Sequence, residues 1–384
     1  MTTTILYVVD SLGLSGKTRA LAQLATRLEP SRFRVAVATF EPPTGMLADE
    51  LARANVPIVH VPCSDGLGPA VLGRLLRVSR SLKPTIVHCF NPRPMLYGGL
   101  AAKALARPAI GTLSAFACMS DDDSHTFLPQ PLHTRSLRNR MRNRLVARMM
   151  ARLAAVSHTG GLAFCRANAI SSEKLRVISY GVDIAAFERV SPGNIARVRA
   201  EAGAGPNDVL IGSVGRLVEQ KDYATQLRAL SLLAHRWPVR MVIAGGGPLE
   251  RELRRLADEL GVADHVTWLG ERSDIPAILR AVDAYLIASK FEPFGVSVLE
   301  AMAAGLPIIA TDVNELPSIL DGGSAGALVP PGQPSALASA IARLASDPEE
   351  RAALGARAKE LARERYSLSA AVDAYVALYD EVAS

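Results

Sequence analysis

Two cationic side chains, Arg216 and Lys221, stand five residues apart in a turn that begins at Gly215. The turn follows a short apolar run, 209–214, which is typical of a buried strand. One cation lies in the loop and the other opens the next helix, so both could neutralise adjacent phosphates of one ligand. The alternative is a solvated loop that carries ordinary surface charges.

A second segment combines two carboxylates with the start of a helix. Glu292 precedes a loop at Gly295, and residues 296–304 predict a helix. The free backbone N–H groups of Gly295 and Val296 would point toward a polar, hydroxylated or partly anionic ligand. Glu300 lies inside this otherwise apolar helix, where a buried carboxylate needs a partner. The alternative is one acid at a helix start and one acid in a salt bridge.

A third turn, residues 10–18, is rich in glycine and opens a helix after the first strand. Backbone N–H groups near Gly16 could bind phosphate, and Lys17 would add a cation. The turn nearly matches the G-x-x-x-x-G-K-[ST] phosphate loop, but Ser11 replaces the first glycine. A nucleotide-hydrolysing enzyme of that type would also need a second acidic strand end for Mg²⁺. A tight strand–helix turn without a ligand remains the third interpretation.

The strands that must position these turns alternate with helices along the whole chain. This alternation predicts parallel α/β sheets with helices on both faces, and ligands bind outside the carboxyl ends of such strands. The predicted strands are 5–9, 34–39, 58–61, 86–90, 109–113, 154–157, 175–178, 209–214, 240–244, 265–269, 284–288 and 308–310. The predicted helices include 17–28, 69–82, 296–304 and 366–382.

The length of 384 residues predicts two domains, at about 150 residues each, or three. A glycine- and proline-containing stretch, 181–207, separates two runs of strands. We therefore predict a Rossmann-like domain over 1–182, a second over 183–362 and a C-terminal helical segment over 363–384 that packs back on the first domain.

Composition narrows the class of protein. Hydrophobic residues make up 49% of the chain and charged residues 21%, a balance typical of globular proteins. No apolar run approaches the roughly 20 residues that span a bilayer, and the N-terminus lacks the basic region of a signal peptide. The four cysteines form no C-x-x-C pair, which favours a reduced, cytoplasmic compartment. The net charge of +6 favours an anionic partner.

Much of the positive charge lies in one acid-free stretch, 124–172. Within it, residues 135–152 predict a basic amphipathic helix, which could contact an anionic membrane surface. Binding of an acceptor phosphate and a merely solvated helix are the alternatives. Nucleic-acid binding is not favoured, because no aromatic platform accompanies the charge. The D-x-D sequence at 121–123 lies in a polar loop and does not predict a metal site.

The chain resembles the retaining GT-B glycosyltransferases of group 1, also called family 4. The resemblance runs nearly end to end and is strongest from about residue 175. The motifs that carry it are the first glycine-rich turn, V-I-S-Y-G-V-D (177–183), G-R-L-V-E-Q-K-D (215–222), I-A-G-G-G-P-L (243–249), L-G-E-R-S-D-I-P (269–276), E-P-F-G-V-S-V-L-E (292–300), G-L-P-I-I-A-T-D (305–312) and L-V-P-P-G (328–332).

This resemblance implies two facing Rossmann-like domains and a nucleoside-diphosphate sugar as donor, with a UDP or GDP base. The first domain would take the acceptor and the second the donor. The implied catalytic residues are Arg216, Lys221 and Glu292. The implied donor-binding residues are Gly16, Lys17, Gly215, Arg216, Lys221, Arg272, Glu292, Phe294, Gly295, Val296 and Glu300. Arg216 and Lys221 would neutralise the diphosphate. Glu300 would accept hydrogen bonds from the ribose hydroxyls. Glu292 would hold the sugar, and Arg272 would lie near the base.

The resemblance also implies a hydroxyl acceptor, for example a lipid-linked or envelope glycan precursor, with no metal and no cofactor beyond the donor. Family members usually carry a histidine where this chain has Ser114, which we assign to the acceptor side with His88. His88 could instead be a hydrogen-bonded structural histidine. A sugar-nucleotide epimerase on the same fold is one alternative. A nucleotide-binding relative that lost catalysis along with the family's usual histidine is another.

Overall fold

The chain divides into two compact units in a computed structural model that describes residues 2–13, 16–63, 68–113, 137–234, 236–292 and 294–383. For residues 16–17 and 137–140 it describes the backbone alone. Unit 1 comprises Met1–Tyr180 together with Ser369–Ser384, and unit 2 comprises Gly181–Leu368. Each unit contains one parallel sheet covered by helices, which confirms the predicted α/β class.

The sheet of unit 1 has seven parallel strands among the described residues, in the order β3-β2-β1-β4-β5-β6-β7. These strands are β1 (Thr3–Val9), β2 (Phe33–Thr39), β3 (Ile58–His60), β4 (Ile86–Phe90), β5 (Ala109–Leu113), β6 (Arg152–Ala155) and β7 (Leu175–Val177). Residues 5–9 of β1 are all buried because helices cover both faces of the sheet. The strand order reverses between β1 and β4, so the loops after these two strands border a crevice that commonly binds ligands.

The helices of unit 1 flank its sheet. They are α1 (Gly16–Arg27), α2 (Met46–Arg53), α3 (Pro69–Leu82), α4 (Pro92–Ala104), α5 (Leu137–Met149) and α6 (His158–Asn168), followed much later in the chain by α16 (Leu368–Ala383). Apolar residues of α16, among them Leu378 and Tyr379, are buried with Ile5 and Val37 in one core. The last helix therefore contributes to the core of the first unit.

Unit 2 has six parallel strands among its described residues, in the order β10-β9-β8-β11-β12-β13. They are β8 (Val209–Val214), β9 (Val239–Ala244), β10 (Val266–Gly270), β11 (Ala284–Ile287), β12 (Ile308–Thr311) and β13 (Gly326–Val329). The order reverses between β8 and β11. Strand β13 was not predicted, because it is short and begins at a glycine. Gly326 is required there, since a Cβ atom would lie 2.1 Å from the carbonyl oxygen of Ile308 on the neighbouring strand.

Helices cover both faces of the second sheet as well. They are α7 (Ile184–Glu188), α8 (Pro192–Glu201), α9 (Tyr223–Ser231), α10 (Glu250–Glu259), α11 (Ile275–Ala281), α12 (Val296–Ala304), α13 (Leu316–Ile319), α14 (Pro334–Ser346) and α15 (Pro348–Arg365). Helix α12 has the bounds that the sequence predicts. Across the described part of both units, no helix combines the length and the apolar character that crossing a bilayer requires.

Candidate functional site

The loops that follow β8 and β11 are bound to each other at the point where the strand order of unit 2 reverses. The Gln220 side-chain amide donates to the carbonyl oxygen of Phe291 (2.7 Å), and the Lys290 backbone N–H donates to the carbonyl oxygen of Gln220 (2.9 Å). The Lys221 ammonium donates to Glu292 Oε2 and forms an ion pair with it. The structure therefore brings together two of the predicted catalytic residues.

Glu292 is held from several directions. The residue is only 5% exposed, and the Ser289 hydroxyl donates to its Oε2 atom (3.1 Å). Its backbone N–H donates to the Asn314 side-chain oxygen (3.1 Å), which ties the loop after β11 to the loop after β12. A lysine ammonium carries three N–H groups, and Lys221 uses one of them on Glu292. Its side chain is 17% exposed, so a fixed cation with spare donors lies at this edge of the sheet.

Arg216 is exposed in the same loop. Within the described residues, no carboxylate or other acceptor binds its guanidinium. An arginine fork without an internal partner can bind phosphate or carboxylate oxygens in a bidentate manner. As far as the described residues show, the loop after β8 presents Arg216 as a free cation and Lys221 as an anchored one.

Glycines in the loop after β9 hold the Arg216 loop in place. The Gly215 N–H donates to the carbonyl oxygen of Ala244 (3.0 Å), and the Leu217 N–H donates to that of Gly246 (2.9 Å). A Cβ atom on Gly245, whose φ is 141°, would lie 2.0 Å from the carbonyl oxygen of Gly215. The motif G-G-G-P (245–248) thus allows two backbones to approach each other closely, a role that its sequence did not reveal.

Within the described part of the chain, no side chain pairs with the backbone N–H groups that open α12. Gly295 precedes the helix with a φ of 91°, and no side chain caps the helix start. The Phe294 side chain is buried, with its ring 6.4 Å from that of Tyr366. Val296 is half-buried. Glu300, in the second turn of α12, is also half-buried.

Two buried phenols support this arrangement. The Tyr223 hydroxyl donates to the carbonyl oxygen of Gly215 (3.1 Å), and the Tyr285 hydroxyl donates to that of Val214 (3.2 Å). The Tyr285 oxygen also lies 2.7 Å from the Ser297 hydroxyl in the first turn of α12. Burial raises the pKa of both phenols, which therefore remain protonated donors near neutral pH. These two roles could not be predicted from the sequence, because a tyrosine that supports a loop has the same sequence pattern as any other buried aromatic residue.

Arg272 occupies a different environment from the one its predicted role suggests. Its guanidinium donates from Nε and Nη2 to the two oxygens of Asp274 (2.7 Å each) and from Nη1 to Glu201 (3.0 Å). These bonds raise the pKa of Arg272 and lower that of Asp274, chiefly through the hydrogen bond between the two groups. Arg272 thus joins α8 to the loop before α11, and its contact with a donor base stays a prediction.

The predicted phosphate turn of unit 1 is described only in part. Helix α1 begins at Gly16, so the backbone at the helix start is present as predicted, whereas the Lys17 side chain lies outside the described residues. Ser114 and the D-x-D sequence at 121–123 also lie outside them. The roles of Gly16, Lys17 and Ser114 stay predictions.

Three polar residues that the sequence did not single out meet at the β1/β4 reversal of unit 1. The Asn91 side-chain amide donates to Asp10 Oδ2 (3.0 Å), and Arg93 Nε donates to Asp10 Oδ1 (2.8 Å). Asp10 directly follows β1 and Asn91 directly precedes α4. Only their spacing from strand ends could have indicated them, since they are 81 residues apart in the chain.

His88 is buried and hydrogen-bonded through both ring nitrogens, which corrects its assignment to the acceptor side. Its ring is completely buried, with Nδ1 2.8 Å from the Tyr379 hydroxyl and Nε2 2.7 Å from Thr112 Oγ1. Helix α16 covers this face of β4. The sequence alone could not predict which strand this helix would cover. His88 is therefore a hydrogen-bonded structural histidine, which was the alternative interpretation of the sequence.

Burial lowers the pKa of His88 to about 3, and this predicts a pH dependence of stability. The unfolded chain binds a proton near the ordinary pKa of about 6.5, whereas the folded chain does not. The contribution of His88 is therefore complete above about pH 6.5 and is lost as the pH falls toward 3. From pH 6.5 to 5, wild type should lose about 1.5 kcal/mol more than His88→Gln in denaturant titrations. Parallel curves would contradict this assignment.

The basic helix is present as α5, and part of its exposed surface is apolar. Met141 is 65% exposed and Leu145 56% exposed, and Arg144 and Arg148 are exposed beside them. These pairs repeat at a spacing of four residues, so both kinds of side chain lie on neighbouring stripes of the helix. In the part of the chain that the structure describes, no cluster of three or more His, Cys, Asp or Glu residues could hold a metal ion.

Comparison with known families accounts for both units. Residues 14–186 match the family model "Glycosyltransferase Family 4", and residues 194–361 match "Glycosyl transferases group 1". A D-inositol 3-phosphate glycosyltransferase of Corynebacterium jeikeium is 36% identical over 219 residues, which are 54% of this chain and 52% of the relative. An alpha-D-kanosaminyltransferase of Streptomyces kanamyceticus is 34% identical over 172 residues, 44% of this chain and 45% of the relative. The chain spans about half the length of the curated relatives it matches.

Solved structures agree on the fold. HepE of Anabaena, in complex with UDP, superimposes with a TM-score of 0.85 over 99% of this chain and 100% of HepE, at 22% identity. The sucrose-phosphate synthase of Thermosynechococcus elongatus gives a TM-score of 0.77 over 98% of each chain, at 19% identity. At these identities the likeness establishes the fold alone. With the two family matches, it shows that the chain belongs to the group 1 glycosyltransferases, family 4, and has the GT-B fold of two Rossmann-like units.

Proposed function

We propose that the protein transfers a sugar from a nucleoside-diphosphate sugar to a hydroxyl group of an acceptor. The observation that carries the proposal is the cation pair at the β8/β11 reversal of unit 2, where Lys221 is fixed by Glu292 and Arg216 has no partner among the described residues. Related solved structures add support, because HepE was crystallised with UDP and with UDP-glucose. A UDP-linked donor is the first choice, and a GDP-linked donor is the second.

The proposed roles follow from charge and position. Arg216 and the spare N–H groups of Lys221 would bind the diphosphate and stabilise the charge that develops on the leaving group. Glu292 and the N–H groups at the start of α12, which no described side chain caps, would hold the hydroxyls of the sugar. Half-buried Glu300 would accept hydrogen bonds from the ribose.

The reaction that we propose retains the anomeric configuration and needs no metal ion. One anchored and one exposed cation, Lys221 and Arg216, can neutralise a leaving diphosphate, which is the task that a metal performs in other transferases. The departing phosphate would take the proton of the acceptor hydroxyl on the same face of the sugar. This route needs neither a carboxylate nucleophile nor a carboxylic acid at the distances typical of glycoside hydrolases.

The acceptor that we propose belongs to an envelope or polysaccharide glycan, lipid-linked or free. Exposed Met141 and Leu145 beside exposed Arg144 and Arg148 would let α5 contact an anionic membrane from the cytoplasmic side. Binding to vesicles that contain an anionic lipid, compared with neutral vesicles, tests this part separately. Equal binding to both would remove the membrane proposal and leave the transferase proposal intact.

A nucleotide screen tests the proposed function. Thermal unfolding would be recorded with UDP, GDP and their sugars, and a ligand at about 100 times its Kd should stabilise by about 2.7 kcal/mol. The stabilising donor would then be incubated with candidate acceptors, and NMR would give the anomeric configuration of the product. Absence of any shift would overturn the proposal. Conversion of the donor into an isomeric sugar nucleotide in the absence of an acceptor would favour an epimerase. Nucleotide binding without turnover would favour a catalytically impaired relative.

Arg216→Ala should weaken nucleotide binding without weakening the fold. The side chain is exposed and has no partner among the described residues, so the free energy of unfolding should change by less than about 0.5 kcal/mol. A lost charge-assisted hydrogen bond is worth about 1.5–3 kcal/mol, which predicts a Kd for the nucleotide about 10–100-fold higher. Calorimetric titration measures this change. Arg251→Ala is the matched control, because Arg251 is also an exposed arginine but lies on α10. This variant should bind the nucleotide as wild type does.

A further inference from the structure

Tyr285 joins the two segments of unit 2 to which the proposed function assigns the diphosphate and the sugar. Its hydroxyl lies 3.2 Å from the carbonyl oxygen of Val214, the last residue of β8, and 2.7 Å from the Ser297 hydroxyl in the first turn of α12. A phenol has one proton and a carbonyl oxygen can only accept, so the phenol donates to Val214 and the serine donates to the phenol. Two consecutive hydrogen bonds therefore run from α12 to the end of β8.

The register of the sheet explains how one side chain reaches both segments. Tyr285 lies on β11 beside Gly212 of β8, and the residue is completely buried. Its hydroxyl contacts Val214, two residues nearer the carboxyl end of β8, because strand side chains lean along the strand direction. The long tyrosine side chain thus carries a polar group from the core to the edge of the sheet where ligands bind.

The hydroxyl group is the part of Tyr285 that the core does not need. A buried hydroxyl costs free energy unless it is hydrogen-bonded, and phenylalanine would fill nearly the same volume. Burial is the main cause of the raised pKa of Tyr285, and the negative charges of Glu292 and Glu300 add to it. The phenol therefore lies near both carboxylates of the 292–300 segment as well as beside the end of β8.

The start of α12 is held by few side-chain contacts among the described residues. Gly295 precedes the helix in the left-handed region, with a φ of 91°, and provides no capping side chain. Asn314 binds the Glu292 N–H (3.1 Å) and ties the preceding loop to β12. Ser297, the second residue of the helix, is half-buried and bonds to Tyr285. The bond between Tyr285 and Ser297 therefore ties the start of the helix to β8.

We propose that Tyr285 is a positioning residue for sugar transfer, which acts through Ser297 to fix the start of α12 relative to the Arg216 turn. The inference rests on the proposed function, in which the turn binds the diphosphate and the start of α12 binds the sugar. The bond that breaks joins the sugar to the diphosphate, so the two segments must keep a fixed separation during the reaction. UDP contains no sugar, so its binding depends less on this link than turnover does.

Tyr285→Phe tests the link, because it removes the hydroxyl and keeps the ring. With the donor and acceptor that give turnover in wild type, kcat should fall about tenfold, since small misplacements of reacting groups are costly. The Kd for UDP, measured by calorimetry, should change by less than about threefold. Both measurements are made well below the unfolding temperature, so that a general loss of stability does not produce this split between kcat and Kd.

A double-mutant cycle tests whether Tyr285 acts through Ser297. Ser297→Ala should lower kcat by a similar factor, and the variant with both substitutions should be no slower than Tyr285→Phe alone, because both remove the same hydrogen bond. Tyr97→Phe is the matched control. It removes another buried phenol, which lies in unit 1 and accepts from the Gly68 N–H (3.0 Å), and it should keep the kcat of wild type.

Hydrogen exchange of the ligand-free protein separates this inference from the proposed function. In Tyr285→Phe, backbone amides in 214–218 and 295–299 should exchange several-fold faster than in wild type, because both segments lose the same tie. A Tyr285→Phe enzyme with the kcat of wild type, equal losses of kcat and UDP affinity, multiplying effects in the cycle, or unchanged exchange in both segments would each overturn the positioning role. Faster exchange in both segments, together with a wild type that turns over no nucleotide sugar, would instead count against the proposed function.

Discussion

Lys221→Met is expected to lower the rate of sugar transfer by about 10²–10³-fold, the range found when one preplaced electrostatic donor is removed. The substitution removes the cation that Glu292 fixes at the β8/β11 reversal. It also leaves a carboxylate that is almost completely buried without its ionic partner, so the free energy of unfolding should fall by about 3 kcal/mol. Single-turnover rates at saturating donor, measured well below the unfolding temperature, separate the two effects.

Lys290→Met is the matched control for this variant. Lys290 is in the loop after β11 and forms an ion pair with Glu219, but its side chain is 42% exposed and that of Glu219 is 73% exposed. Such a surface pair contributes at most about 1 kcal/mol, so the control should keep both its rate and its stability. A Lys221→Met enzyme that turns over like wild type would show that this cation has no part in the reaction.

Gly245→Ala is expected to displace the Arg216 loop and to lower the free energy of unfolding by about 3 kcal/mol, at the upper end for overpacking. The added methyl group would lie 2.0 Å from the Gly215 carbonyl oxygen, and the backbone φ of 141° is unfavourable for alanine. Because the clash involves backbone rather than a mobile side chain, it cannot be relieved by a rotamer change. Denaturant unfolding and nucleotide titration should both report the change, with affinity reduced about tenfold or more by loss of the Arg216 contact.

Gly246→Ala provides the comparison within the same turn. Its added methyl group would lie 3.2 Å from Glu271 Cγ, on an exposed side chain that can move away. We expect nearly normal stability and nucleotide binding. If Gly245→Ala and Gly246→Ala behaved alike, the close approach of the two loops would not be what holds Arg216 in position.

Local patterns were sufficient for most of the fold. Alternating β-branched runs and helices predict the strands of both units within a few residues, and α12 is predicted over its observed bounds. Strand β13 escaped because four residues that begin with Gly326 carry almost no strand signal. Its pairing with β12 depends on a contact between distant segments, which no local pattern contains.

The candidate site was predictable to the extent that it lies at strand ends. Residues in the loops after β8 and β11 meet because these strands are neighbours. The motifs at 215–222 and 292–300 had already indicated that both loops bind a ligand. The sequence could not distinguish exposed Arg216 from Arg272, which is engaged by Asp274 and Glu201. That difference depends on which carboxylates other helices bring near.

His88 and Asp10 show the same limit in opposite directions. Both lie near the end of a strand, but α16 covers His88, whereas Asp10 lines a cavity with Asn91. The helix that makes the difference is about 290 residues away from His88 in sequence, as the His88–Tyr379 separation of 291 shows. Burial by a distant element changed a candidate acceptor contact into a structural hydrogen bond.

The central claim is that Arg216 and Lys221 bind the diphosphate of the donor. A structure determined from a crystal soaked with UDP tests this claim most directly. We predict diphosphate density at the carboxyl ends of β8 and β11, with phosphate oxygens about 2.7–2.9 Å from the Arg216 guanidinium and the Lys221 ammonium. Diphosphate density elsewhere on the protein, without contact to Arg216 or Lys221, would contradict the account.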